Sequence, residues 1–156
     1  MKGLWVVLAL WIGAIGERSL SPNITVFGAR PDFLLLVSIV TSLGLSRSGA
    51  AVTGFAAGVI QGALIGANLT HYVFSRAVTA FVSAWSRQLR FEMSPLAVAV
   101  TAAVLTIFGR MLFMVTAGPK GIAGFLGDTM GTAIYNGVLA IPMYALLRRV
   151  LNPVVR

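Results

Sequence analysis

Residues 48–75 read SGAAVTGFAAGVIQGALIGANLTHYVFS, a run with no charged side chain. A helix crosses the hydrocarbon core of a bilayer in roughly 20 apolar residues, so this run is too long for one span and must hold more than one helix. Its most polar point is Asn68-Leu69-Thr70-His71. A break there predicts one helix near 49–67 and another near 71–87. Carried outward over the other apolar stretches, the same reading predicts helices near 3–20, 32–46, 94–116 and 128–147. The expectation is an all-α integral membrane protein, a six-transmembrane-helix bundle in which residues 1–156 form a single transmembrane domain.

The composition supports this. Of 156 residues 58% are hydrophobic and 10% charged, with a mean hydropathy of +0.91, which excludes a water-soluble globule. Nine Phe, three Trp and long aliphatic runs exclude a disordered chain. The net charge of +8 comes from basic residues scattered singly between apolar runs. That pattern points to orientation by positive charge and to anionic lipids, with no nucleic acid. Placing the amino terminus in the cytoplasm puts Lys2, Arg47, Arg87, Arg90, Arg148, Arg149 and Arg156 inside, against Arg18, Arg30 and Lys120 outside. Both termini are then cytoplasmic in a multi-pass membrane protein. Ser46-Arg47-Ser48-Gly49 becomes a tight inner hairpin, and the longest outer loops are 18–31 and 117–127. Gly3 to Gly16 has the outline of a signal peptide, but cleavage would remove a packing partner, so it is read as the uncleaved first helix.

Local signals agree with these boundaries. Pro31 and Pro95 stand where a first helical turn tolerates a missing N–H, Ser94 suits the N-cap before Pro95, and Asp32 and Asp128 place carboxylates on positive helix ends. Gly54, Gly58, Gly62 and Gly66 recur every four residues and lay a smooth stripe along the third helix. In lipid such stripes mediate close helix contact, either inside this bundle or with another protein's helix. Arg76 and Arg110 fall inside predicted helices near their outer ends. They either join Glu17, Asp32 and Asp128 in an outer-leaflet charge cluster or snorkel to the headgroups.

Enzyme chemistry finds little footing. His71, the only histidine, lies roughly 30 Å across the bilayer from the Ser46/Ser48 segment, and Gly44-Leu45-Ser46-Arg47-Ser48-Gly49 misses the Gly-x-Ser-x-Gly spacing. His71 is read as an interfacial polar residue. One histidine and four dispersed acids form no metal-ligand cluster, and an absence of cysteine removes thiolate ligands and nucleophiles. Gly118, Gly121, Gly124 and Gly127 lack the Lys-Ser/Thr of a phosphate-binding loop, so that segment is read as a flexible or re-entrant outer loop. No cofactor is expected. Ion transport would want a carboxylate at the bilayer centre, where this chain has none. A small-molecule pocket at the outer end stays open as an alternative.

Arg30-Pro31-Asp32 at the start of an apolar helix, Gly54-Phe55-x-x-Gly58 opening the next, and Tyr135-Asn136-Gly137-x-x-x-x-Pro142 ahead of Arg148-Arg149 recur in one order. Together they resemble the rod shape-determining protein MreD family over nearly the whole chain. The resemblance implies a non-catalytic scaffold of the bacterial cell-elongation machinery for lateral peptidoglycan synthesis. The partners it implies are MreC, MreB, RodA and the elongation class B penicillin-binding protein. It also implies an architecture similar to the substrate-binding subunits of energy-coupling-factor transporters, which gives the pocket alternative a concrete form. Where the family commonly shows an acidic residue after the Gly-Phe segment, this chain reads Val59-Ile60-Gln61-Gly62. Gln61 is left to supply a neutral hydrogen bond, or the glycine stripe takes over the contact. The expected mechanism holds the transmembrane helix of MreC in a lateral groove, with the glycine stripe and Phe55 as candidate contacts. Arg30, Pro31, Asp32, Tyr135, Asn136 and Pro142 are expected to fix the second and sixth helices or to touch a partner.

Overall fold

A ten-residue helix buried around its whole circumference sits in the middle of the molecule. In the computed structural model, which describes residues 2–86, 94–118 and 120–151, this is α2 (Phe33–Ser42). Around it stand α1 (Lys2–Ile15, running on into one π-helical turn, Gly16–Leu20), α3 (Arg47–Ile65), α4 (Leu69–Ser86), α5 (Pro95–Ala117) and α6 (Ile122–Leu151). The described residues contain these six α-helices and no strand longer than a single bridge. Four helices are long and apolar enough to cross a membrane: α1 with its π turn, α3, α5 and α6. The predicted second helix is the main departure in length. At ten residues it covers about 15 Å, half a hydrocarbon core.

The sequence of α2 explains its position. Every residue from Leu34 to Ser42 is buried, the hydroxyl residues Ser38, Thr41 and Ser42 included, as in a helix surrounded by the rest of the bundle. Leu35, Leu36, Ile39 and Val40 pack with Val98, Ala102 and Leu105 of α5 and Ala140 of α6. Leu34 and Val37 face Val6, Ala9 and Leu10 of α1 and Ala57 of α3. The hydroxyls of Ser38 and Thr41 donate back to the carbonyls of Leu35 and Val37, both at 2.7 Å, so these polar residues ride in the core without orphaned protons.

The glycine stripe joins α3 to α4. A Cβ on Gly54 would strike the backbone of Arg76 and Ala77, one on Gly58 the backbone of Tyr72 and Val73, and one on Gly62 would stand 2.6 Å from a Leu69 methyl. Gly66 does not belong to this face. It ends α3 in the left-handed region (φ 72°), its N–H returning to the Gly62 carbonyl at 2.8 Å, and the chain turns through Asn68 (φ 57°) into α4.

Several predicted ends move. Ser46 caps α3, so Arg47 is the first residue of that helix and the turn, residues 43–46, falls three residues ahead of the hairpin expected at 46–49. Ser94 caps α5 with Pro95 in the first turn, as its sequence suggests. Pro31 lies ahead of the α2 cap, not in its first turn. α6 starts at Ile122, so most of the segment expected to be a flexible or re-entrant loop is helix. Gly124 and Gly127 read as breakers in sequence, yet both fit the helix. Asp128 therefore sits inside α6 and not at its positive end. Arg87, Arg90 and Arg156 lie outside the described residues.

Candidate functional site

Between the π turn and α2 the chain runs as irregular backbone, exposed over residues 22–28 and buried at Ala29, Pro31 and Asp32, where its polar groups need partners. Val26 and Ala29 exchange two backbone hydrogen bonds, 3.1 and 3.0 Å, across Phe27 and Gly28, both at positive φ. The hydroxyl of Tyr135 on α6 donates to the Ile24 carbonyl at 2.7 Å. The next carbonyls are met one by one. Thr132 donates to that of Arg30 (2.8 Å), Ser21 to that of Pro31 (2.9 Å), and the Asn136 amide to that of Asp32 (3.3 Å). Asn136 also accepts from the Asp32 N–H at 3.2 Å and donates to Thr106 at 3.1 Å, so its amide mimics a neighbouring strand. Pro31 has no N–H to satisfy. Gly131 leaves room for this segment, since a Cβ there would collide with that of Ala29.

Asp32 is the junction. One carboxylate oxygen accepts from the Leu35 N–H at 3.0 Å, which caps α2, and the other is ion-paired with Arg76 of α4. Glu17, on the π turn, accepts from the Phe33 N–H at 2.7 Å and from the side-chain amide of Gln61 at 3.1 Å. Arg76 is 2% exposed; it also donates to Ser75 at 3.3 Å and lies 4.9 Å from the Tyr72 ring centre. A second pair, Arg110 with Asp128, is braced by Thr129 at 2.9 Å and by the Phe125 ring at 5.0 Å. Tyr72, Phe113 and Phe125 form an aromatic wall, with ring centres 4.5 and 6.4 Å apart. His71 meets the edge of Phe113.

Above the pairs opens a cavity of about 450 Å³. Glu17, Arg18, Arg30, Asp32, Gln61, Arg76, Arg110 and Asp128 line it together with the aromatic wall. Two buried polar atoms of its lining residues, Nε of Arg76 and Oε1 of Gln61, have no hydrogen-bond partner. Neither arginine snorkels: Arg76 is enclosed by protein, and the Arg110 side chain is 16% exposed.

A family profile described as rod shape-determining protein MreD matches residues 1–154. The chain belongs to the MreD family. No curated protein and no solved structure matches it. Of the motifs that carried the MreD resemblance, Arg30-Pro31-Asp32 and Asn136 meet at the backbone of Asp32, and the neighbouring Tyr135 bonds the same connecting segment at Ile24. Gly54 and Gly58 face α4, whereas Phe55 between them is exposed on the flank of that face. Pro142 lies within α6, apart from this junction. Sequence reasoning missed Ser21, Thr106 and Thr132. Hydroxyls in apolar helices ordinarily bond their own preceding turn, as Thr53 and Thr79 do here, and nothing local marks those that bond another element.

Proposed function

We propose that this MreD-family chain is a non-catalytic inner-membrane scaffold of the bacterial cell-elongation complex that holds the transmembrane helix of MreC, with MreB, RodA and the elongation class B penicillin-binding protein in the wider assembly. The family match over residues 1–154, which assigns the chain a part in rod-shape determination, carries this reading. Both termini are assigned to the cytoplasm, so the cavity faces the periplasm. Lys2, Arg47, Arg148 and Arg149 then stand at the cytoplasmic end, and Arg18, Arg30 and Lys120 at the other. Six helices with a cavity at one end suit the energy-coupling-factor architecture that the resemblance implies, and architecture does not dictate transport.

α4 covers α3 at Gly54 and Gly58, which argues against that part of the glycine stripe as the groove for MreC. A second concavity of about 460 Å³ lies at the α3–α4 corner, lined by Val59, Gly62, Ala63, Gly66, Ala67, Asn68 and Leu69. Its small residues permit the close backbone approach that drives helix association in lipid. We assign the partner helix to this corner. Co-purification of tagged protein with MreC in mild detergent tests it. An Ala63→Leu variant fills the concavity from the exposed side of α3 and is expected to lose MreC while the isolated bundle keeps its melting temperature. Undiminished retention of MreC by that variant overturns the assignment.

A further inference from the structure

The charged cavity has more donors than its own protein uses. Its carboxylates are committed: Asp32 to Leu35 and Arg76, Asp128 to Arg110, and Glu17 to Phe33 and Gln61. Two of its four arginines are not. Arg18 and Arg30, both exposed at the mouth, have no side-chain partner among the described residues, and Arg76 Nε is buried beneath them without an acceptor. Four guanidinium groups against three carboxylates leave the lining one positive charge in excess. A buried donor without an acceptor is costly, and guanidinium is the group best matched to a planar pair of anionic oxygens.

We propose that the cavity binds a singly charged phosphate-class anion, either a phosphodiester headgroup or free phosphate. Arg18 and Arg30 grip its oxygens at the mouth, Arg76 Nε donates from below, and Oε1 of Gln61 accepts from a hydroxyl carried by the same molecule. A volume of about 450 Å³ holds a phosphate with a small polyol. Leu64 and Ile65, exposed apolar side chains on the rim, offer a path for an acyl chain. This site does not depend on where MreC docks.

The experiment uses the full chain in phosphate-free maltoside micelles. The probes are short-chain phosphatidylglycerol, the matching short-chain diacylglycerol, and inorganic phosphate, and binding is read by native mass spectrometry and by the shift in melting temperature. Phosphatidylglycerol is expected to bind and to raise the melting temperature, and diacylglycerol to do neither. The double variant Arg18→Gln/Arg30→Gln is expected to weaken binding by about tenfold or more with its unliganded melting temperature unchanged, because only exposed side chains are altered. Should that double variant fold poorly, Arg18→Gln alone is expected to weaken binding by a smaller factor. Binding of phosphatidylglycerol but not of inorganic phosphate assigns the site to a lipid headgroup; binding of both, with the same arginine dependence, assigns it to the phosphate group itself. Binding of neither, equal binding of diacylglycerol, or binding indifferent to the arginine variants overturns the proposal.

Discussion

Asn136 satisfies both backbone groups of Asp32 with one side chain, at a depth where water is scarce. Asn136→Leu therefore leaves a buried N–H and a buried C=O under-satisfied, and about 2 kcal/mol or more of stability is expected to go with them, read as a lower melting temperature in detergent. Removing Arg76 costs more. Arg76→Leu leaves Asp32 charged and enclosed, a loss of roughly 3–5 kcal/mol. Adding Asp32→Asn to that variant is expected to recover part of the loss, since the lone charge goes too; strict additivity of the two single changes contradicts a direct pair. At this scale the sequence was legible in its charges and opaque in its hydroxyls. Arg76, Arg110, Glu17, Asp32 and Asp128 stand out because a charge in an apolar run demands an explanation, but their pairing does not follow from spacing: Asp32 and Arg76 are 44 residues apart. Thr106 and Thr132 carry no such mark.

At the scale of elements, the α3–α4 pair depends on what glycine lacks. Gly58→Leu is expected to unseat α4, because its side chain meets the backbone of Tyr72 and Val73, and no rotamer avoids a main chain. The check is loss of the folded species by size exclusion, whether or not any partner is present. Phe27 tests the opposite case. It is fully exposed and holds φ 51°, a conformation disfavoured for a bulky residue, so Phe27→Gly is expected to leave the bundle's melting temperature equal or slightly higher. The four-residue period of the stripe could be read from the sequence, and so could the break near Asn68, because glycine spacing and polar residues are local signals. The start of α6 could not. Glycines that end helices in water are accepted inside them where neighbouring helices and lipid surround the backbone, and Gly124 and Gly127 carry no signal for that difference.

The whole molecule has two unlike halves. Around α2 the contacts are apolar; beyond its first turn they are hydrogen bonds and ion pairs around a cavity. With no native cysteine, single-cysteine variants report orientation cleanly. Thr25→Cys is expected to react with a membrane-impermeant maleimide in intact spheroplasts, and Ser48→Cys only after permeabilisation; the reverse pattern inverts the topology. Six helices and their order were legible because apolar runs bounded by charges are a whole-chain signal. The half-length of α2 was not, since Leu43, Gly44 and Leu45 extend its apolar run past the residue where the helix stops.

A helix of about 15 Å also bears on how the protein is made. Inserted alone behind α1, α2 is too short to cross the bilayer, and the irregular chain ahead of it lacks the α6 groups that bond Ile24, Arg30 and Asp32. Its ion-pair partner is synthesised 44 residues after Asp32, and the amide that closes its backbone 104 residues after it. The amino-terminal third therefore waits, incomplete, until the last helix arrives. A nascent chain released before α6 retains every charge of the Asp32–Arg76 pair and still presents the unpaired Asp32 N–H to the membrane, a defect that a quality-control protease can recognise.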